Sequence, residues 1–123
     1  MAADERGAIE AVIRDYLDGM IYGQFEKIES AFHPQSMVAG HFDGTYYFVT
    51  RQQFIDILKT DTPLKPGTPY NSSIESVDIT GDAASAKVID DCLGTTFTDY
   101  LTLIKDGGRW QIVNKAFYDH ASG

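Results

Sequence analysis

The chain has 123 residues, enough for one hydrophobic core but short for two. A hydrophobic fraction of 43% and an aromatic fraction of 12% exclude a disordered chain. The net charge of −8, with four Arg and six Lys scattered singly, argues against a nucleic-acid or anionic-membrane partner, since both require a basic footprint.

Cys92 is the sole cysteine, so no intrachain disulfide can form, which fits a reducing compartment. No apolar run approaches the roughly 18 residues of a membrane span. The opening "MAADERGAIEAV" has no charged region followed by an apolar one, as a secretory leader would. The expectation is one cytoplasmic domain covering residues 1–123.

The first segment has a helical period: Ile9, Val12, Ile13, Tyr16, Leu17 and Met20 form one apolar stripe. Asp4 is a candidate N-cap and Gly23 a candidate stop. A short second helix is expected in "QFEKIESAF", ended by "HP". "SMVAGHF" and "TYYFVT" read as strands joined at "DG", a strong hairpin signal. "TRQQFIDILKT" returns to helical spacing, with Thr50 as a candidate cap. "DTPLKPGTP", residues 61–69, is a loop that could act as a lid. After Tyr70, four alternating segments separated by glycine turns predict an antiparallel meander. The order α-α-β-β-α followed by four strands is α+β, with three helices covering one face of a strongly curved antiparallel sheet.

Three stretches, "YLDGMIYGQFEKIESAFHP", "SVDITGDAASAKV" and "FTDYLTLIKDGGRWQIVNKAF", together resemble the nuclear-transport-factor-2-like superfamily. This is the cone-shaped fold of SnoaL-like proteins, ketosteroid isomerases and scytalone dehydratases. The resemblance covers nearly the whole chain and is strongest to a bacterial subgroup described as lumazine-binding proteins. It implies a pocket between the helices and the concave sheet face, and a two-fold homodimer through the convex face.

If the "DGG" turn closes a regular hairpin with Asp106 opposite Arg109, Tyr100 faces Lys115, Thr102 faces Val113 and Thr98 faces Phe117. The opposite face then holds Asp99 with Leu101, Leu103, Trp110 and Ile112. In relatives of this fold the tryptophan after that turn points away from the cavity. The resemblance therefore places Tyr100, Thr102, Val113, Lys115 and Phe117 in the pocket and Asp99 outside. It makes Leu101, Leu103, Trp110 and Ile112 the dimer face. A single bulge would invert this assignment.

In the isomerases of the superfamily a helix-one tyrosine stabilises an oxyanion, a first-strand aspartate moves the proton, and a strand acid assists the tyrosine. Tyr16 matches the tyrosine. Gly40 falls at the base position and Tyr100 at the assisting acid, so that mechanism is not expected. His41 adjoins the base position, but strict alternation points it away from Gly40. His33 fits a helix-end cap or dipole partner. Of Asp90 and Asp91, adjacent in one strand, only one can face the pocket, and a regular turn selects Asp91. A lysine at 115 beside Tyr100 could bind a carboxylate, an enolate or a heterocycle carbonyl, or it could snorkel to the mouth and pair with Asp91. Tyr16, Phe54, Tyr100 and Phe117 could line a pocket for a flat ligand or simply fill the core. No metal-ligand spacing, phosphate-binding glycine loop or nucleophile elbow is present, and no cofactor is expected.

Three functions compete. One is a binding domain for an apolar or planar organic ligand held by Tyr16, Phe54, Tyr100, Thr102, Val113, Lys115 and Phe117. The second is a cofactor-independent lyase or isomerase using Tyr16 with His41 or Asp91. The third is a dimerising interaction module.

Overall fold

A computed structural model describes residues 2–122. Helix α1 (Ala2–Ile21) carries the predicted stripe, with Ile9, Ile13, Tyr16 and Leu17 fully buried. The side chain of Asp4, expected as its cap, lies outside the described residues. Gly23 takes φ 68° just beyond α1, the left-handed geometry that ends a helix. Helix α2 (Phe25–Ala31) is short, and the Arg51 guanidinium donates to the Glu29 and Phe32 carbonyls at its end. Helix α3 (Arg51–Leu58) starts with a capping box: Thr50 Oγ1 accepts from the Gln53 amide, and the Gln53 side chain accepts from the Thr50 amide.

Six strands form one sheet in the order β2-β1-β6-β5-β4-β3. They are β1 (Phe32–Phe42), β2 (Thr45–Thr50), β3 (Ser72–Thr80), β4 (Ala83–Cys92), β5 (Thr95–Asp106) and β6 (Arg109–Asp119). All neighbours are antiparallel except β1 and β6, which run parallel and join the early hairpin to the meander. β1 starts four residues before the expected "SMVAGHF". His33 consequently lies in a strand, not at a helix end, and its Nδ1 accepts from the Gln35 amide.

The helices cover one face of the curved sheet. Val38, Ala84, Ala86, Val88, Leu101, Leu103, Trp110 and Ile112 meet α1 and α3 in a single core. Leu101, Leu103, Trp110 and Ile112, expected on a convex dimer face, are therefore core residues, each at most 3% exposed. Glu5 ties α1 to this hairpin, accepting 2.7 Å from Lys105 Nζ and 2.8 Å from Trp110 Nε1. The outer face instead shows Tyr46, Phe48, Tyr100, Ile104 and Tyr118.

Candidate functional site

The expected register of the last hairpin holds from Asp106–Arg109 to Leu103–Ile112 and then slips. Val113 is an extra residue on β6, so Thr102 pairs with Asn114, Leu101 with Lys115 and Asp99 with Phe117. A one-residue bulge moves the later β6 side chains to the other face, so Lys115 and Phe117 join the side of Trp110 and Ile112. The helices cover that side, on which β5 holds Leu103, Leu101 and Asp99 by plain alternation: Asp99 is wholly buried, whereas Tyr100 is 55% exposed and Thr102 lies on the outside beside it. Tyr100 and Thr102 are consequently not pocket residues.

Inside the cone, Tyr16 from α1 donates a 2.7 Å hydrogen bond to Asp99 Oδ2. Lys115 Nζ stands 4.0 Å from Asp99 Oδ1, an ion pair between neighbours set diagonally across β5 and β6. The ammonium also lies 4.8 Å from the Tyr16 ring centre, 4.5 Å from Phe54 and 5.3 Å from Phe117. Cation–π contact with three aromatic rings is what holds the ammonium in this position. Its three donors have no hydrogen-bond acceptor among the described residues. Asp99 Oδ1 likewise has no donor.

Asp90 completes the group. The β4–β5 turn is Leu93–Gly94, with Asp90 opposite Phe97, so Asp90 points inward and Asp91 outward. This reverses the expected choice for the cone interior: Asp91 is exposed, lines only the outer chamber at the β4–β5 turn, and accepts from Thr96 and Asn71, which keeps its carboxyl below the usual value. Burial, then the charge of Asp99 and a hydrogen bond with it, push the Asp90 carboxyl up to about 9. Neither Asp90 oxygen finds a hydrogen-bond donor, and beside the Asp99 charge the buried group is favoured as the neutral acid. Burial, and then the charge of Asp99, raise the Tyr16 phenol well above its ordinary value, so it remains a donor at any physiological pH.

Two cavities adjoin this network. An inner cleft of about 50 Å³ is lined by apolar side chains from β1, β2, α3 and β5, with Tyr47, Lys115 and Phe117. Lys115 is its one charged lining group among the described residues. An outer chamber of about 650 Å³ lies between the end of α1, the 61–64 segment and the β4–β5 turn. Met20, Leu58 and Leu93 line both. The 61–69 loop is pinned to α1: the Leu64 amide donates to the Ile21 carbonyl, and Tyr22 Oη donates to the Thr68 carbonyl.

Among the expected site residues, Tyr16, Phe54, Lys115 and Phe117 converge, and Val113 forms the bulge. His41 is exposed on the outer face, stacked on Tyr46 at 5.0 Å between ring centres. The proposed proton-transfer set of Tyr16 with His41 or Asp91 is therefore not assembled. The base position at Gly40 is also closed. A Cβ there would lie 2.5 Å from the Phe117 carbonyl oxygen and 2.7 Å from its ring, so the ring packs over the glycine. From the sequence alone, Asp99 falls outside, Asp91 is selected over Asp90, and Leu93, which lines both cavities, does not stand out. The one available signal was that an in-facing Asp99 would occupy the assisting-acid position that Tyr100 could not fill. No group of three His, Cys, Asp or Glu among the described residues could hold a metal.

Three helices on one face of a strongly curved six-stranded sheet define the nuclear-transport-factor-2-like class. Residues 4–118 match the family described as "Putative lumazine-binding", and the chain belongs to that family. A nuclear-transport-factor-2-like protein of unknown function from Silicibacter pomeroyi superimposes with a TM-score of 0.90 at 27% identity, covering 98% of this chain and 99% of that one. One from Shewanella baltica, also of unknown function, gives 0.84 at 29% identity, covering 98% and 97%. The chain is also 25% identical to the aldolase FrzH of Cladobotryum sp, over 98% of this chain and 95% of that protein.

Proposed function

We propose that this chain binds a small, largely apolar organic molecule and that Lys115 meets a carbonyl or acidic oxygen of that molecule. The observation carrying this reading is the ammonium itself. Lys115 as a residue is 5% exposed, it lines an otherwise uncharged cleft, and its nitrogen has a carboxylate only at 4.0 Å. A buried cation in such a place needs an oxygen partner, and a ligand oxygen entering the cleft would supply one. The outer chamber has the size of an ordinary ligand site. The family description, lumazine-binding, supports a flat heterocyclic body, which the outer chamber could take while an oxygen-bearing substituent reaches Lys115 in the cleft. The test is a thermal-shift panel of pteridine diones, flavin-like heterocycles and aromatic carboxylates. At least one class should stabilise the protein, and Lys115→Met should abolish that shift. A shift surviving in Lys115→Met would sink the reading.

A second reading is enzymatic. Tyr16 and Asp99 form a buried hydrogen-bonded pair beside Lys115, with the buried Asp90 carboxyl close to Asp99, and a relative spanning 98% of the chain is an aldolase. In a cofactor-independent lyase or isomerase, Lys115 would stabilise an enolate oxygen electrostatically, with the carboxyl pair holding the ammonium in place. Exchange of α-hydrogens of an aryl ketone in deuterated water reads this directly. Catalysed exchange lost in Lys115→Met supports it, and the absence of any catalysed exchange counts against it.

We also propose pairing with a second copy through the outer sheet face. Phe48, Ala39, Ala116 and Tyr100 make one cross-strand row, and Tyr46, His41 and Tyr118 the next. Exposed aromatics contiguous on one face are a common mark of an interface.

A further inference from the structure

We propose that Leu93 is the specificity-determining residue of a neck between the outer chamber and the inner cleft. Three two-residue turns in this sheet have positive φ at both positions: Asp43–Gly44 at 51° and 77°, Gly107–Gly108 at 58° and 77°, and Leu93–Gly94 at 53° and 80°. Such turns favour Asn, Asp or Gly first, because their side chains tolerate left-handed backbone. The first two follow that rule. Leu93 breaks it, placing a branched apolar side chain where sterics penalise it. Residues held in that geometry persist where surrounding structure fixes them, often at ligand clamps.

What surrounds Leu93 gives the irregularity a use. It lines both cavities, as do only Met20 and Leu58 among their described lining residues. Those two sit on helices α1 and α3, whereas Leu93 sits on a turn opposite them. The inner cleft, at about 50 Å³, has room for a small head group and not for a ring system, while the outer chamber, at about 650 Å³, can take the body. The ligand class is therefore a molecule with a narrow oxygen-bearing head that passes Leu93 to reach Lys115, and a broader body that stays outside. This deepens the binding reading above and rests on it for the ligand's identity, but passage through the neck can be measured without a ligand.

The experiment places a thiol in the inner cleft by Val38→Cys, at the register partner of Lys115, in a Cys92→Ala background that removes the native thiol of the outer chamber. Labelling rates are measured with methyl methanethiosulfonate and with a bulky biphenyl analogue. With Leu93 present, the narrow reagent should react several-fold faster than the bulky one. Leu93→Gly and Leu93→Asn should remove most of that difference without lowering the thermal midpoint, and Leu93→Phe should slow both reagents. Rates that ignore residue 93, or that merely follow the midpoint, overturn the neck. The binding reading fails separately, through Lys115→Met in the thermal-shift panel.

Discussion

The Tyr16 hydroxyl and the Asp99 carboxylate, 83 residues apart in the chain, meet at 2.7 Å with neither group exposed. Asp99 also balances Lys115, so its two oxygens serve different partners. Removing one partner of a buried set costs more than removing the set. Tyr16→Phe should cost about 1–3 kcal/mol by leaving an acceptor unpaired. Asp99→Leu should cost about 3–5 kcal/mol, because the Lys115 charge loses its counter-ion. Adding Lys115→Met to Asp99→Leu should recover most of that loss. Urea unfolding of the three variants checks the order.

Asp90 makes stability depend on pH. Its carboxyl is raised from 3.8 to about 9 in the folded protein, so the folded state holds a proton that the unfolded state releases. Its contribution is fully present below the unfolded value and is lost as pH rises toward the folded one. Between pH 5 and pH 8 the stability of the native sequence should fall relative to Asp90→Asn, with a slope approaching about 1.4 kcal/mol per pH unit. Parallel denaturation curves for the two proteins across that range would contradict this.

Two glycines should respond oppositely to alanine. A Cβ at Gly40 would strike a backbone oxygen that cannot move cheaply, so Gly40→Ala should destabilise by about 1–3 kcal/mol. Gly7 sits exposed within α1 with nothing within 4 Å of an added Cβ, so Gly7→Ala should stabilise by about 0.5–1 kcal/mol. Thermal midpoints measure both.

If a second copy covers the outer face, sedimentation at micromolar concentration should find a dimer. Tyr100→Glu, at the β5 end of the exposed row that runs to Phe48, should weaken it by about 2 kcal/mol or more while the fold is kept. A monomer in the native sequence would count against the pairing.

The local signals in the sequence were sufficient for much of the fold. The α1 stripe, the Thr50–Gln53 box and the Asp43–Gly44 turn each encode their element through neighbouring residues. The facing of the last hairpin was not encoded that way. The in-facing Leu101 and Leu103 alternate with Tyr100 and Ile104, which are themselves aromatic or aliphatic, so hydrophobic pattern could not choose a side. The helices decide it by packing on the Leu103 and Trp110 side, and the Val113 bulge then turns Lys115 to that same side. Nothing at Val113 marks a bulge as a glycine would. The parallel β1–β6 pairing is equally non-local. It takes a contact between Val38 and Lys115, which no short stretch contains. The site was half legible for the same reason: Tyr16 and Lys115 could be read from their elements, while Asp99 and Asp90 needed the register.

The account depends most on Lys115 receiving the ligand's oxygen. Side-chain nitrogen NMR of the lysine ammoniums, followed while titrating in the heterocycle that gives the largest thermal shift, reads this at the atom concerned. Lys115 Nζ should move in proportion to occupancy while Lys87 on the outer face stays still. Saturation of the protein with an unmoved Lys115 signal would contradict the account.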